Sequence, residues 1–166
     1  MDAHSEGLGR GSTFTLRLPL FSAPSYKPVK EDLITCSTDS FTPRNLRILV
    51  VDDVLSNRKL LCRLLERKGH KCDMAENGQK ALDAIRSDTG GGYHCLLIDF
   101  EMPVLNGPDT VQRIREDLGC DMFIVGVTGN MLTEDVEYFI SKGANCVLPK
   151  PVQLPILEEL LIEHGV

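Results

Sequence analysis

The residues best suited to chemistry in this sequence are carboxylates, a hydroxyl and an ammonium that each follow or end a short apolar run. Asp52 and Asp53 follow one run, Asp99 ends another, and Thr128 and Lys150 follow two more. If these runs are neighbouring parallel strands, their carboxyl ends meet at one edge of a sheet, where ligands bind in such folds. We therefore expect three carboxylates, one hydroxyl and one ammonium to lie close together.

Such a cluster is suited to phosphoryl transfer with a divalent metal ion. Three neighbouring carboxylates repel one another, and a cation allows all of them to remain ionised. Oxygen ligands suit Mg²⁺, which readily takes a phosphate oxygen as a further ligand. Asp99 is placed to act as a nucleophile toward a phosphoryl group, while Lys150 and Thr128 can hold phosphate oxygens. Each residue alone is common at a strand end, so the prediction depends on their joint occurrence.

The elements that must position these residues follow an alternating pattern. Five short apolar runs predict buried strands, over residues 46–51, 72–75, 94–99, 122–127 and 146–148. Stretches with helical spacing follow each run and predict five helices. Five strands alternating with five helices predict an α/β fold with a doubly wound parallel sheet.

Local patterns predict where the helices begin and end and which faces they bury. The first helix is expected from Asn57, with Gly69 as its stop, and Asn77 and Thr133 are expected to cap later helices. Pro108 suits the first turn of the third helix. The residues predicted to face inward include Leu60, Leu61, Leu64 and Leu65 in the first helix, Val136, Phe139 and Ile140 in the fourth, and Ile156, Leu157, Leu160 and Leu161 in the last.

Composition argues against several classes of function. The formal net charge is −6 and hydrophobic residues make up 42% of the chain. The excess of acidic residues lies in residues 46–166, so a basic surface for nucleic acid is not expected. No apolar run approaches the roughly 20 residues that span a bilayer. We expect a soluble, cytoplasmic chain without membrane contact, although its parent protein could be associated with a membrane.

The motifs together resemble the receiver domains of two-component signalling. The resemblance is carried by residues 48–53, 75–78, 98–103, 106–107, 143–144 and 148–151, together with Thr128. It implies a flavodoxin-like (βα)₅ fold with strand order 2-1-3-4-5. It also implies that Asp99 is the phosphoacceptor, with Thr128 and Lys150 as phosphate-binding residues. Asp53 and Asp99 would then be metal ligands for Mg²⁺ or Mn²⁺, with Asp52 acting through water and Glu101 through its backbone carbonyl.

Two further expectations follow from this resemblance. The Lys150–Pro151 peptide bond is expected to be cis. The family often has Tyr or Phe three residues before the lysine, whereas this sequence has Val147. An aromatic switch at that position cannot operate here, so we expect any signal to pass mainly through Thr128 and the loop after it.

The leading segment also resembles part of a known protein class. Residues 9–20 are similar to the last glycine box and closing strand of a histidine-kinase ATP-binding domain. We interpret residues 1–20 as a remnant of that domain, 21–45 as a flexible linker and 46–164 as the receiver. This organisation indicates the C-terminal part of a hybrid sensor kinase. The chain itself is not expected to act as a kinase, only to catalyse phosphorylation and dephosphorylation of its own aspartate.

The function expected is that of a phosphoacceptor in a phosphorelay that switches a protein-interaction surface. Its partners would be a histidine-kinase phosphohistidine domain and a histidine-containing phosphotransfer protein. Two alternatives remain open at this point. One is a metal-dependent phosphohydrolase with an aspartyl-phosphate intermediate, and the other is an interaction module that does not depend on phosphorylation.

Overall fold

The computed structural model of the chain describes residues 2–5, 12–15 and 45–166. The chain divides into two compact units, residues 1–39 and residues 40–166. In the first unit, strands β1 (Asp2–Ser5) and β2 (Ser12–Thr15) pair antiparallel. Strand β2 lies within residues 9–20, the segment that resembles a glycine box and a closing strand. The predicted linker, residues 21–45, lies outside the described residues except for Asn45.

The second unit is built on a five-stranded parallel sheet. Its strands are β3 (Arg47–Val51), β4 (Lys71–Ala75), β5 (Cys95–Asp99), β6 (Phe123–Thr128) and β7 (Cys146–Pro149). They lie in the order β4-β3-β5-β6-β7, and each neighbouring pair is parallel. Counted along this unit, the order is 2-1-3-4-5, which confirms the predicted topology.

Five helices cover both faces of this sheet. They are α1 (Leu55–Arg67), α2 (Gly78–Ser87), α3 (Gly107–Glu116), α4 (Thr133–Ser141) and α5 (Leu154–Glu163). Alternate strand residues point to opposite faces, and the core therefore has two halves. Leu49 and Leu96 pack with residues of α2, α3 and α4, whereas Ile48 and Leu97 pack with residues of α1 and α5. Strands β5 and β6 are buried along their whole length, as expected for a sheet covered on both sides.

Several predicted helix ends are confirmed, and two are wrong, because α1 begins at Leu55 instead of Asn57 and α4 is not capped by Thr133. The Asn77 side chain accepts a hydrogen bond from the backbone N–H of Lys80 and so caps α2. Gly69, just past α1, has a φ of 90°, a left-handed conformation that glycine adopts readily. Thr133 is not the cap of α4, because it is the first helical residue and Leu132 occupies the cap position.

The predicted inward faces of three helices need correction. Leu60, Ile140 and Ile156 are exposed, although each belongs to a helical apolar pattern. In α1 the residues that are buried are Arg58, Cys62 and Leu65. The face of α1 that covers the sheet thus begins with an arginine, which a search for apolar residues does not count. Within the described residues, no helix is both long and apolar enough to cross a membrane.

Candidate functional site

The candidate site lies where the carboxyl ends of four parallel strands meet. Asp52 and Asp53 follow β3, Asp99 is the last residue of β5, and Thr128 is the last residue of β6. Lys150 follows β7 directly. The pairing of β3 with β5, of β5 with β6 and of β6 with β7 places these ends side by side. This edge is the one at which parallel α/β sheets bind ligands.

Three carboxylates gather at this edge. One oxygen from each of Asp52, Asp53 and Asp99 lies within 4.8 Å of the others. Asp52 and Asp99 are buried, whereas Asp53 is exposed. Carboxylates this close together disfavour one another's charged form unless a cation lies among them. Hard divalent cations such as Mg²⁺ prefer oxygen ligands of this kind, so the cluster could hold such an ion.

Lys150 joins two of these carboxylates. Its Nζ lies 2.9 Å from Oδ2 of Asp52 and 2.7 Å from Oδ2 of Asp99. The Lys150–Pro151 bond is cis, as expected. Burial raises the pKa of the Asp99 carboxyl, and the Lys150 ammonium acts against that rise. Burial alone would lower the pKa of Lys150, but its hydrogen bonds with Asp99 and Asp52 outweigh this effect and the pKa is raised.

Asp52 is held by three further groups, none of which was identified from the sequence as its partner. Its Oδ1 accepts a hydrogen bond of 2.8 Å from the backbone N–H of Val54. Nδ2 of Asn57 lies 3.3 Å and 3.2 Å from its two carboxylate oxygens. The guanidinium of the buried Arg58 donates to its backbone carbonyl. The signal available in the sequence was an Asn-Arg pair in the first turn of α1, five and six residues after Asp52.

Thr128 is buried, and its hydroxyl is engaged by the following loop. Oγ1 donates to the backbone carbonyl of Asn130 at 3.0 Å and accepts from the Asn130 N–H at 3.1 Å. An open, polar cleft of about 400 Å³ lies above these groups. Its lining includes Asp53, Asp99, Glu101, Thr128 and Lys150. Every predicted site residue except Asp52 thus lines one cleft. Asp52 lies behind Lys150, one of the lining residues, and forms an ion pair with it.

The loop after β5 is packed tightly against Asp99. The N–H of Gly107 donates to the carbonyl of Phe100 at 2.9 Å, which brings the start of α3 back to the strand end. A Cβ at Gly107 would lie 2.2 Å from the Asp99 carbonyl oxygen, so only glycine allows this approach. In the loop between Asp99 and Gly107, Val104 has a φ of 73° and is 80% exposed. A β-branched residue in this conformation is strained.

Comparison with known proteins places this arrangement in a family. Residues 48–162 match the family model described as the response regulator receiver domain. The chain is 36% identical over 116 residues to two-component response regulator 24 of Arabidopsis thaliana, covering 70% of this chain and 81% of that protein. It is also 36% identical over 131 residues to the sensor histidine kinase RcsC of Salmonella typhimurium, which covers 78% of this chain. That match spans only 13% of the length of the kinase.

A solved structure agrees with these matches. The Saccharomyces cerevisiae complex of the phosphotransfer protein Ypd1 with the receiver domain of Ssk1 gives a TM-score of 0.64 at 26% identity. The alignment covers 72% of this chain and 88% of that one. Sequence, topology and site geometry therefore lead to one conclusion. This chain belongs to the response regulator receiver domain family.

Proposed function

We propose that Asp99 accepts a phosphoryl group from a phosphohistidine, in a reaction of a two-component phosphorelay that requires Mg²⁺ or Mn²⁺. The observation that carries this proposal is the position of Lys150, whose Nζ contacts both Asp99 and Asp52 at the edge of the acidic cluster. A nucleophilic carboxylate, two further carboxylates and a cation occupy one cleft, and this is a set of groups suited to phosphoryl transfer.

The residues of the chain would divide the chemistry among themselves. An oxygen of the Asp99 carboxylate attacks phosphorus while the bond from phosphorus to the imidazole nitrogen breaks and its electron pair stays with the ring. Lys150 holds one oxygen of the transferring group by charge, and the Thr128 hydroxyl can donate to another. Asp52, Asp53, Asp99 and the Glu101 carbonyl are the groups that would hold the metal. When bound, the metal neutralises charge on the phosphoryl oxygens.

Two observations support a histidine-containing partner. Ssk1 has been solved bound to a histidine phosphotransfer protein, and its receiver domain shares the fold of this chain. The similarity to RcsC is a similarity to a sensor histidine kinase. We therefore propose a cytoplasmic receiver that belongs to a hybrid kinase, with residues 1–20 as the end of the ATP-binding domain and 21–45 as the linker.

The proposed output passes through Thr128. To donate to a phosphate oxygen, its hydroxyl must give up the hydrogen bond to the Asn130 carbonyl. The loop before α4 then loses a contact that fixes its first turn. Val147, which is half-buried beside this region, offers no aromatic ring that could rotate. The change in the loop would alter the surface that partners contact.

The first test is the intact mass of the protein after incubation with acetyl phosphate and Mg²⁺. We expect one phosphoryl adduct in the wild type, none in Asp99→Asn and none with EDTA. Asp135→Asn is the matched control, because Asp135 lines the same cleft without belonging to the acidic cluster. An adduct that persists in Asp99→Asn contradicts the assignment of the phosphoacceptor.

The same experiment separates the two alternatives. A folded wild type that binds metal and forms no adduct favours an interaction module independent of phosphorylation. Turnover of an unrelated ester such as a sugar phosphate, lost in Asp99→Asn, favours a phosphohydrolase. The intact cluster of Asp52, Asp53 and Asp99 with Lys150 supports the receiver over the interaction module.

A further inference from the structure

One buried cation of the receiver is not used by the proposed chemistry. Arg58 is 7% exposed, and within residues 45–166 it is the one lysine or arginine that is buried. A buried charge is costly unless it is paired or hydrogen-bonded. Its guanidinium donates to the backbone carbonyl of Asp52, which lies at the edge of the cluster formed by Asp52, Asp53 and Asp99.

The carbonyl that Arg58 contacts belongs to the peptide that joins Asp52 to Asp53. Fixing this peptide restricts the direction in which both side chains leave the backbone. The preceding residue, Asn57, contacts the carboxylate of Asp52 with its Nδ2. Two consecutive residues of α1 therefore hold Asp52 at both its main chain and its side chain.

The start of α1 offers a reason for this arrangement. Its cap position is occupied by Val54, which has no side-chain hydrogen bond to make, and its first turn contains no acidic residue. The carboxylate of Asp52 accepts the backbone N–H of Val54 instead. The Asp52 carboxylate thus accepts a hydrogen bond at the start of α1, and Asn57 and Arg58 of α1 contact Asp52 in turn. The position of α1 therefore determines the position of Asp52.

We propose that Asn57 and Arg58 are positioning residues that hold Asp52 and the peptide before Asp53 in the geometry that binds a divalent cation. This inference rests on the proposed function, since it concerns the affinity of the same site for its metal. Neither residue contacts the cleft in which the phosphoryl group would lie. They would act through Asp52 and the peptide that joins it to Asp53, as groups that orient metal ligands do in other proteins.

The two possible roles of Arg58, as a nearby charge and as a positioning group, predict opposite changes in metal affinity when it is replaced. A neighbouring cation repels a metal ion, so removing its charge would strengthen metal binding if charge were its only role. Removing a positioning group would weaken binding, by about tenfold for groups of this kind. The direction of the change in Arg58→Met therefore distinguishes the two roles.

The experiment measures the dissociation constant for Mn²⁺ by isothermal titration calorimetry in the full chain. We expect Arg58→Met and Asn57→Ala to bind Mn²⁺ about tenfold more weakly than the wild type, and Arg58→Lys to recover part of the loss. Lys59→Met is the matched control, because it removes a positive charge from the next, exposed residue of α1. Its dissociation constant is expected to stay equal to that of the wild type or to decrease.

A second measurement excludes a purely structural role. Urea unfolding is followed in EDTA and in saturating Mg²⁺ for each variant. Loss of packing alone would lower stability equally in both conditions, whereas loss of positioning reduces the increase in stability that Mg²⁺ produces. If Arg58→Met does not fold, Asn57→Ala decides the question, because Asn57 is exposed and its replacement leaves no buried gap.

Folded variants that bind Mn²⁺ as tightly as the wild type, or more tightly, overturn this inference. They leave the proposed function intact, provided that the wild type still forms the adduct at Asp99. A wild type that binds no divalent ion overturns the proposed function itself, and this inference with it. Metal binding by the wild type therefore distinguishes a failure of this inference from a failure of the proposed function.

Discussion

Replacing Lys150 with methionine should make the stability of the receiver depend strongly on metal. Lys150 contacts Asp52 at 2.9 Å and Asp99 at 2.7 Å, and the two carboxylate side chains are only 9% and 7% exposed. Breaking a buried ion pair costs about 3–5 kcal/mol because a charge is left without a partner. The lysine side chain is 30% exposed, so solvent weakens the pair, and we expect a loss of about 3 kcal/mol in the absence of metal.

Saturating Mg²⁺ should remove most of this loss. A divalent cation supplies the positive charge that the variant lacks, and it no longer competes with Lys150 for the two carboxylates. Lys150→Met should therefore bind metal more tightly than the wild type. Each 1.4 kcal/mol of additional stabilisation by the metal corresponds to about a tenfold gain in affinity.

The assay is urea unfolding of both proteins in EDTA and in saturating MgCl₂. Lys80→Met serves as the control, because Lys80 is exposed on α2 and carries the same charge. Its unfolding free energy should follow that of the wild type in both conditions. If Mg²⁺ stabilises Lys150→Met no more than it stabilises the wild type, the argument that the lysine substitutes for a cation is refuted.

Three further substitutions test other parts of the site and the fold. Gly107→Ala should lower the free energy of unfolding by about 2 kcal/mol or more, measured in urea, because its Cβ would lie 2.2 Å from the Asp99 carbonyl oxygen. Val104→Asn should raise it by about 1 kcal/mol in the same assay, since asparagine tolerates the φ of 73° better than valine. Asp88→Asn should destabilise the protein at pH 7, because hydrogen bonds with Arg47 and backbone N–H groups lower the pKa of Asp88 in the folded state. Such a carboxylate stabilises the fold above its unfolded pKa, and this contribution is lost as the pH falls through its folded pKa, so the deficit should shrink below about pH 4.

Each of these three predictions has an outcome that would contradict it. Gly129→Ala is the control for Gly107→Ala, since no atom lies within 4 Å of a Cβ built there; equal losses in the two variants would exclude the steric argument. An unchanged stability in Val104→Asn would mean that the loop relaxes without cost. A deficit in Asp88→Asn that stays constant from pH 7 to pH 3 would assign the effect to something other than the charge of the carboxylate.

The sequence was sufficient to predict the part of the site that the sheet positions. An apolar run of about five residues predicts a buried strand, and a parallel sheet requires all its strands to end at the same edge. Asp99, Thr128 and Lys150 could therefore be placed together from their positions at strand ends alone. No knowledge of a side-chain conformation was needed, because the backbone topology brings these residues together.

The part that the sequence did not predict depends on contacts across a turn. Leu60 fits an apolar helical pattern, yet the inward face of α1 is formed by Arg58, Cys62 and Leu65. An arginine is buried there because the carbonyl of Asp52 lies opposite its guanidinium. The direction of that carbonyl is set by the tight connection from β3 to α1, and apolar spacing contains no information about it. Ile140 and Ile156 were misplaced for a related reason, since spacing defines a stripe but not how much of it the sheet covers.

The hydroxyl of Thr128 illustrates the same distinction at the level of function. Its position at the end of β6 follows from the sheet, but its partner does not, because a threonine hydroxyl rotates to whichever group its surroundings offer. In this structure it donates to the carbonyl of Asn130 and accepts from the N–H of the same residue. A phosphate oxygen, being charged, is a stronger acceptor than that carbonyl. If Asp99 is phosphorylated as we propose, we expect the hydroxyl to leave Asn130 for a phosphate oxygen. Val147 supplies no ring that could move in response, so we expect the loop before α4 to change.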